Sequence, residues 1–334
     1  MSTGHSCYEP STMSLDQPIK GIIGVCLTPF NDNDRVDYSS LEREIDFMAP
    51  DCNALSIGTE ESTEYRMLSF EERKELMERA TEIVGKRLPV ILGISSPSAH
   101  QVVELADHSA NIGADLIHLL MPQRPWGGRP NDSELVEYFT QIASASPLPI
   151  MVNHDPGTGA DFSVATIIQL SEVNNIKYFK DSSCDIARVS RITEEIELAG
   201  KGLFFTTMQP LLTALTMGAS GASMPPPATR IGAQVVKCFN SGHTERARDW
   251  QRCFALFPGK WADYGLPPVM KSAMKHMGVD IGNPARPYSP VSPRDDAQIG
   301  QFFREMGLLG ETIPDSPGLI DALASLPRGD TLSR

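Results

Sequence analysis

Eight short apolar runs, each followed by a segment of helical spacing, follow one another between residues 21 and 239. The runs fall at 21–30, 54–58, 88–93, 114–121, 148–154, 176–180, 203–207 and 221–224. Each is short, rich in apolar residues and closed by a Pro, Gly or polar turn, which reads as a buried strand. The segments between them space apolar residues as helices do. Leu41, Ile45 and Met48 share one face, and Ser69 with Glu72 forms a capping-box pattern for a helix to about residue 84. Regular β–α alternation predicts a parallel sheet, and eight repeats predict that it closes into a (β/α)8 TIM barrel. A doubly wound open sheet usually carries a glycine-rich phosphate loop after its first strand. That position holds Thr28-Pro29-Phe30 instead.

Beyond residue 243 the pattern is helical only, with helices predicted over 245–257, 267–277 and 294–306. The expected organisation is a loose leader at 1–20, a barrel at 21–242, a C-terminal helical extension at 243–308 and a flexible tail at 309–334. The extension is expected to pack on the barrel or on a partner subunit.

Composition narrows the function. A net charge of −13 argues against binding to nucleic acid or an anionic membrane. No apolar run has the length of a membrane span, and residues 1–20 contain no signal-peptide core. The six cysteines form no CxxC pair, and the seven histidines show no HxH or HExxH spacing, so neither a metal site nor a disulfide framework is expected. A reducing cytoplasm fits this usage.

The sixth strand carries the chemistry. In a parallel barrel, catalytic groups gather at the carboxyl ends of the strands. Lys180 ends the strand, while Lys177, three residues earlier, faces the other side. Lys180 is therefore read as a reactive amine and Lys177 as a solvated charge.

The chain resembles the dihydrodipicolinate synthase / N-acetylneuraminate lyase superfamily over about residues 20–308. The resemblance rests on Val25-Cys26-Leu27-Thr28-Pro29-Phe30, on Gly93 with Ser95 and Ser96, and on Gly113-Ala114-Asp115 leading to Met121-Pro122. It rests further on 148–152 before a Pro-Gly turn, the Lys180 strand, 218–222 and Pro268-Val269-Met270-Lys271. It implies a homotetramer and a lysine that forms a covalent imine with a 2-oxo acid, with no metal or organic cofactor. Lys180 is the matching residue.

Two family tyrosines are missing. The strand-five proton-shuttling tyrosine falls at Asn153, and a tyrosine contributed across the subunit interface falls near Arg124. The turn 156–159 has no arginine for an amino-acid aldehyde, which argues against dihydrodipicolinate synthesis. In these losses the chain is similar to members that dehydrate 2-keto-3-deoxy sugar acids. In the loop after strand two, Glu64 matches the family glutamate, Ser62 and Thr63 its last Thr-Gly, and Gly58-Thr59 its start.

A Schiff base needs a neutral amine, and an unperturbed lysine is neutral in only about 1 in 2500 molecules at pH 7. Apolar surroundings disfavour the ammonium, so the barrel mouth is expected to be dry around Lys180. The protonated imine acidifies the C3 proton, after which either the C4 hydroxyl leaves or the C3–C4 bond breaks. Asn153 cannot titrate but can hold a hydroxyl or water, which favours dehydration. A base could instead come from His154 or Asp155, although with Asn153 inward His154 should point to the helices. Asp155, just before Pro156, reads equally as a turn cap. Thr59, Ser62 and Thr63 are the expected carboxylate donors, with Glu60 and Glu61 turned away into solvent. Arg124 or Arg129 could take a distal carboxylate, Thr206, Thr207 and Ser223 the sugar-like tail, and Trp126 could wall the pocket. The expected function is a lyase on a 2-oxo acid, with a pyruvate-dependent aldolase and a catalytically silent binding barrel as alternatives.

Overall fold

The computed structural model describes residues 17–122, 130–156, 161–310 and 313–318. Eight parallel strands close into a barrel in sequential order: β1 (Gly21–Cys26), β2 (Ala54–Ile57), β3 (Val90–Gly93), β4 (Leu116–Leu120), β5 (Ile150–His154), β6 (Ile176–Asp181), β7 (Leu203–Thr206) and β8 (Gly221–Met224). β8 returns to β1, pairing Gly221 with Gly21. The helices between strands are α1 (Tyr38–Met48), α2 (Phe70–Val84), α3 (Ala99–Asn111), α4 (Asp132–Ala145), α5 (Val164–Leu170), α6 (Ile186–Ile192), α7 (Leu211–Met217) and α8 (Pro226–Asn240). Ser69 and Glu72 cap α2 reciprocally, as their spacing predicts.

Strand alternation builds the interior in layers. Ile23, Ala54, Ile91, Leu116, Met151, Tyr178 and Phe205 form one apolar cluster inside the barrel. Two residues further along each strand stand Val25, Ser56, Gly93, His118, Asn153, Lys180, Thr207 and Ser223. The same period therefore sets a largely polar layer directly above an apolar floor. The opposite face of each strand, including Leu55, Leu92, Leu119, Val152, Phe179 and Phe204, packs in the larger core beneath the helices.

Both ends of the chain are more engaged than expected. Ile19 is buried with the barrel-floor cluster, and its backbone N–H donates to the Tyr178 hydroxyl at 3.3 Å. Ile19 thus covers the amino-terminal end of the barrel, where an apolar floor would otherwise meet water. Beyond residue 308, Leu309 and Ile313 pack on the core and Asp315 pairs with Arg246 at 2.6 Å.

The extension forms α9 (Thr244–Arg252), α10 (Leu266–His276) and α11 (Pro293–Glu305). Phe257, Trp261, Phe302 and Phe303 make a ring cluster with centroids 4.8–6.2 Å apart that holds these helices together. α10 sends Lys271, 2% exposed, to the carbonyls of Thr28 (2.8 Å) and Asn283 (3.0 Å) and to Glu64 Oε2 (2.7 Å). The extension therefore grips the loops that follow β1 and β2, at the carboxyl end of the strands.

Candidate active site

Lys180 stands at the carboxyl end of β6, inward and 6% exposed, while Lys177 is exposed. Its ammonium lies 2.6 Å from Oε1 of Glu60. Glu60 comes from the loop after β2 and is itself buried, which overturns the expectation that this carboxylate is solvated. Its placement follows from long-range ties on its loop. Glu64, in left-handed backbone, accepts from the Ala285 N–H at 2.7 Å and pairs with Lys271. The Thr28 hydroxyl holds the Thr63 carbonyl at 2.5 Å, and the Thr63 hydroxyl donates back to the Glu60 carbonyl at 2.7 Å. With residues 63 and 64 fixed, the preceding segment turns Glu60 into the barrel.

Each oxygen of the Glu60 carboxylate has donors. Ser223 donates to Oε1 at 3.1 Å beside Lys180, and the Thr59 hydroxyl donates to Oε2. Ser56 Oγ lies 3.0 Å from Thr59 Oγ1 and extends the chain downward. Burial works to raise the Glu60 pKa, but the Lys180 ammonium, His118 and the hydrogen bonds from Lys180 and Thr59 bring it down to about 2. The dry, apolar setting expected around the amine is thus replaced by an ionised partner.

His118 on β4 enters the same chamber, its Nε2 3.9 Å from Glu60 Oε1. Burial brings its pKa down to about 4, with Glu60 opposing and Lys180 adding to that shift. The ring is therefore neutral at pH 7. Asn153 pairs with Lys180 in the strand register and is fully buried. Neither its amide atoms nor the ring nitrogens of His118 have a hydrogen-bond partner, a condition buried polar groups seldom tolerate. All four atoms belong to the polar layer around Lys180.

A cavity of about 380 Å³ opens above this layer, lined by Lys180, Glu60, Ser62, Asp155, Thr207 and Ser223 among others. That volume suits a small metabolite. A larger cavity of about 530 Å³ lies between Tyr65, Arg73 and Pro97 and is not lined by Lys180.

The predicted residues divide. Lys180, Ser62, Thr207 and Ser223 line the cavity, and Asn153 stands in the layer beneath it. Thr59 and Thr63 are buried, with hydroxyls committed to Glu60 rather than open to a ligand. Thr206 does not belong to the site: it alternates with Phe205, whose ring lies in the barrel floor, and so faces the helices. Glu61 is partly exposed and pairs with Arg66 at 2.7 Å. Arg124, Trp126 and Arg129 lie outside the described residues. His154 is behind the sheet, as Asn153 pointing inward requires. It meets Asp181 Oδ2 at 2.8 Å and Asp161 Oδ1 at 2.7 Å, and Arg188 closes the group on Asp181 at 3.0 Å. Glu60 and His118 are the residues sequence reasoning missed. Counting by twos from Leu116 places His118 inside; no local signal places Glu60. Among the described residues, no cluster of His, Cys, Asp and Glu is arranged to hold a metal ion.

A closed parallel barrel with a buried lysine at the end of its sixth strand, facing a cavity, is the framework of a class I lyase, which works through a lysine imine. The family model of the dihydrodipicolinate synthetase family matches residues 18–305. The 4-hydroxy-tetrahydrodipicolinate synthase of Methanothrix thermoacetophila is 27% identical over 294 residues, 86% of this chain and 97% of its own. The enzyme of the same name from Rickettsia bellii is 37% identical over 184 residues, 54% of this chain and 61% of its own. Among solved structures, a prophage protein from E. coli belonging to the dihydrodipicolinic acid synthase family, in complex with pyruvate, superposes with a TM-score of 0.80 at 24% identity, covering 86% of this chain and 99% of that one. The N-acetylneuraminate lyase of Mycoplasma synoviae gives 0.74 at 21%, covering 85% and 96%. The chain belongs to the dihydrodipicolinate synthetase family.

Proposed function

We propose that Lys180 condenses with the keto carbon of a 2-oxo acid, and that the chain dehydrates a 2-keto-3-deoxy sugar acid or a close analogue. The observation that carries the dehydration is Asn153. An uncharged amide, in register with Lys180 and with both polar atoms unpartnered, can hold the C4 hydroxyl of a substrate joined to that lysine. Ser62, Thr207 and Ser223 are positioned to take the carboxylate and the hydroxylated tail from the cavity wall. Conversion of R–CH(OH)–CH2–CO–COO⁻ to R–CH=CH–CO–COO⁻ releases one water, and the imine is hydrolysed to free the product.

One observation favours a second reading. The ionised Glu60 beside the amine could take the C4 hydroxyl proton and break the C3–C4 bond, as a pyruvate-dependent aldolase does. We further propose that the chain acts in the cytoplasm, as a homotetramer like the one the family resemblance implies. Among the described residues no helix is long and apolar enough to cross a membrane.

Borohydride reduction in the presence of pyruvate, read by intact mass, should add one reduced pyruvyl group. The Lys180→Ala chain should add none; an unchanged adduct there would refute the assignment. Incubation with 2-keto-3-deoxy sugar acids should yield a dehydrated 2-oxo acid. Release of pyruvate would decide for the aldolase.

A further inference from the structure

The strand-five position from which a tyrosine would shuttle protons is an asparagine here, so some other group must move them. Nearby tyrosines do not reach the amine. The Tyr178 hydroxyl accepts from the backbone of Ile19 in the barrel floor, and the Tyr65 hydroxyl donates to Glu61 at 3.1 Å. His154 lies behind the sheet with Asp181 and Asp161. Asp155 lines the cavity, while Glu60 approaches Lys180 directly at 2.6 Å.

The geometry points to Glu60 as the general acid–base of the reaction, the carboxylate that takes the tyrosine's place from a different loop. The inference rests on the imine reading above. Glu60 is the ionisable group in direct hydrogen-bond contact with Lys180 Nζ, and Ser223 and Thr59 orient its two oxygens. The reacting C3 carbon of any imine on Nζ stands two bonds from that nitrogen, within the arc of the same carboxylate.

The proton inventory closes on this one group. The Lys180 ammonium gives a proton to Glu60, and the free amine adds to the keto carbon. Glu60 protonates the resulting alkoxide. It then takes the second proton from nitrogen and delivers it to the departing hydroxyl, which leaves as water. The iminium remains, and Glu60 is again a carboxylate. It next removes a C3 proton: the C–H pair becomes the C2=C3 bond, and the C=N pair moves to nitrogen. The acid so formed protonates the C4 hydroxyl. The enamine pair restores C=N, the C3=C4 bond forms, and water leaves. The carboxylate is regenerated and no redox partner is needed. In the resting site burial works to raise the Glu60 pKa, but Lys180 and the Thr59 hydrogen bond hold it down, so the carboxylate starts the reaction ionised.

The test is exchange of the pyruvate methyl protons in D2O, followed by NMR. Exchange reports enamine formation and does not depend on which sugar acid is the substrate. The chain with Glu60→Gln keeps the size of the side chain and a hydrogen bond to Lys180. It should still yield the borohydride adduct, more slowly, while methyl exchange falls by about 10²–10⁴-fold, the usual share of general acid–base catalysis. A Glu60→Asp chain should recover part of the exchange and, by its thermal melt and adduct, rule out misfolding as the cause. Exchange at the wild-type rate in Glu60→Gln overturns the inference. So does a Glu60→Gln chain whose adduct forms at the wild-type rate, since every proton of the condensation is routed through Glu60. If the wild-type chain forms no adduct, it is the imine reading that fails.

Discussion

Gly93 ends β3 and faces the chamber beside the loop that carries Glu60. A Cβ built on it would stand 2.7 Å from the Cα of Thr59 and closer still to the carbonyl of Gly58, where ordinary contact is 3.4–4 Å. Those atoms are backbone, so no rotamer change relieves the overlap, and the loop must retreat by about 1 Å. A displacement of that size at a reacting group can cost about 100-fold in rate. Overpacking of this kind costs about 1–3 kcal/mol of stability. Gly221 supplies the control. A Cβ there would meet the backbone of Gly21 with the same severity, but at the amino-terminal end of the barrel, away from the chemistry. Gly93→Ala and Gly221→Ala should therefore lower the thermal midpoint by similar amounts, roughly 2–10 °C. Only Gly93→Ala should lower pyruvate methyl exchange by about 100-fold. Equal losses of exchange in the two chains, or full exchange in Gly93→Ala, would refute the argument that the β3 glycine sets the position of Glu60.

Glu44 is fully buried in α1, and burial pushes its pKa up to about 8 against the Leu27 N–H bond and the Lys271 charge. A carboxyl whose folded pKa is raised holds its stabilising contribution below the unfolded value and loses it as pH rises through the folded one. Glu44→Gln should therefore gain on the wild-type chain by up to a few kcal/mol between pH 5 and pH 9 in urea melts; parallel curves would refute the assignment. Lys271→Met leaves Glu64 buried without its cation and should cost about 3–5 kcal/mol, partly restored by adding Glu64→Gln; a loss below about 1 kcal/mol would show the pair to be relaxed into water. His154→Gln should cost about 1–3 kcal/mol by stripping partners from Asp181, while the borohydride adduct persists. Loss of that adduct in a folded chain would mean that His154 reaches the amine. Lys180→Met alone strands the Glu60 carboxylate and should destabilise by about 3–5 kcal/mol, whereas Lys180→Met with Glu60→Gln should regain most of it in denaturant titrations.

The barrel was legible because it is written in a period. Strand alternation needs no knowledge of distant parts, so counting by twos places Lys180 inside, Lys177 outside and His154 against the helices. The same count would have put His118 in the chamber and Thr206 behind it. Thr206 is misplaced when strand-end hydroxyls are counted without phase, and His118 is missed when only the strand ends are considered. Ile19 escaped for another reason: its neighbours in the leader are polar, and its burial depends on an open floor at the end of a barrel made by residues up to Phe205. Glu60 was not legible at all. It sits among Glu61 and Glu64 in a loop whose shape is set by Lys271 and Ala285, more than 200 residues away. Glu60, Glu61 and Glu64 in one short polar loop read locally as a solvated face, and only the tertiary anchoring of Glu64 turns the first of them inward.

That anchoring explains what the C-terminal extension contributes to chemistry. A buried ion pair is a poor source of stability, because desolvating both charges offsets most of their attraction. Lys180 and Glu60 therefore would not find each other simply for the energy of the pair, over an apolar floor and in a loop free to swing into water. The loop is held by Lys271 and Ala285, which lie beyond the barrel, and by Thr28 from the loop after β1. Helix α10 thus fixes the carboxylate against the amine by way of Glu64. The barrel supplies a lysine by strand phase; the extension supplies its counter-charge by tying down a loop. The Lys180–Glu60 pair is consequently a property of the whole length from β1 to α10, and the strand that bears the lysine accounts for only one side of it.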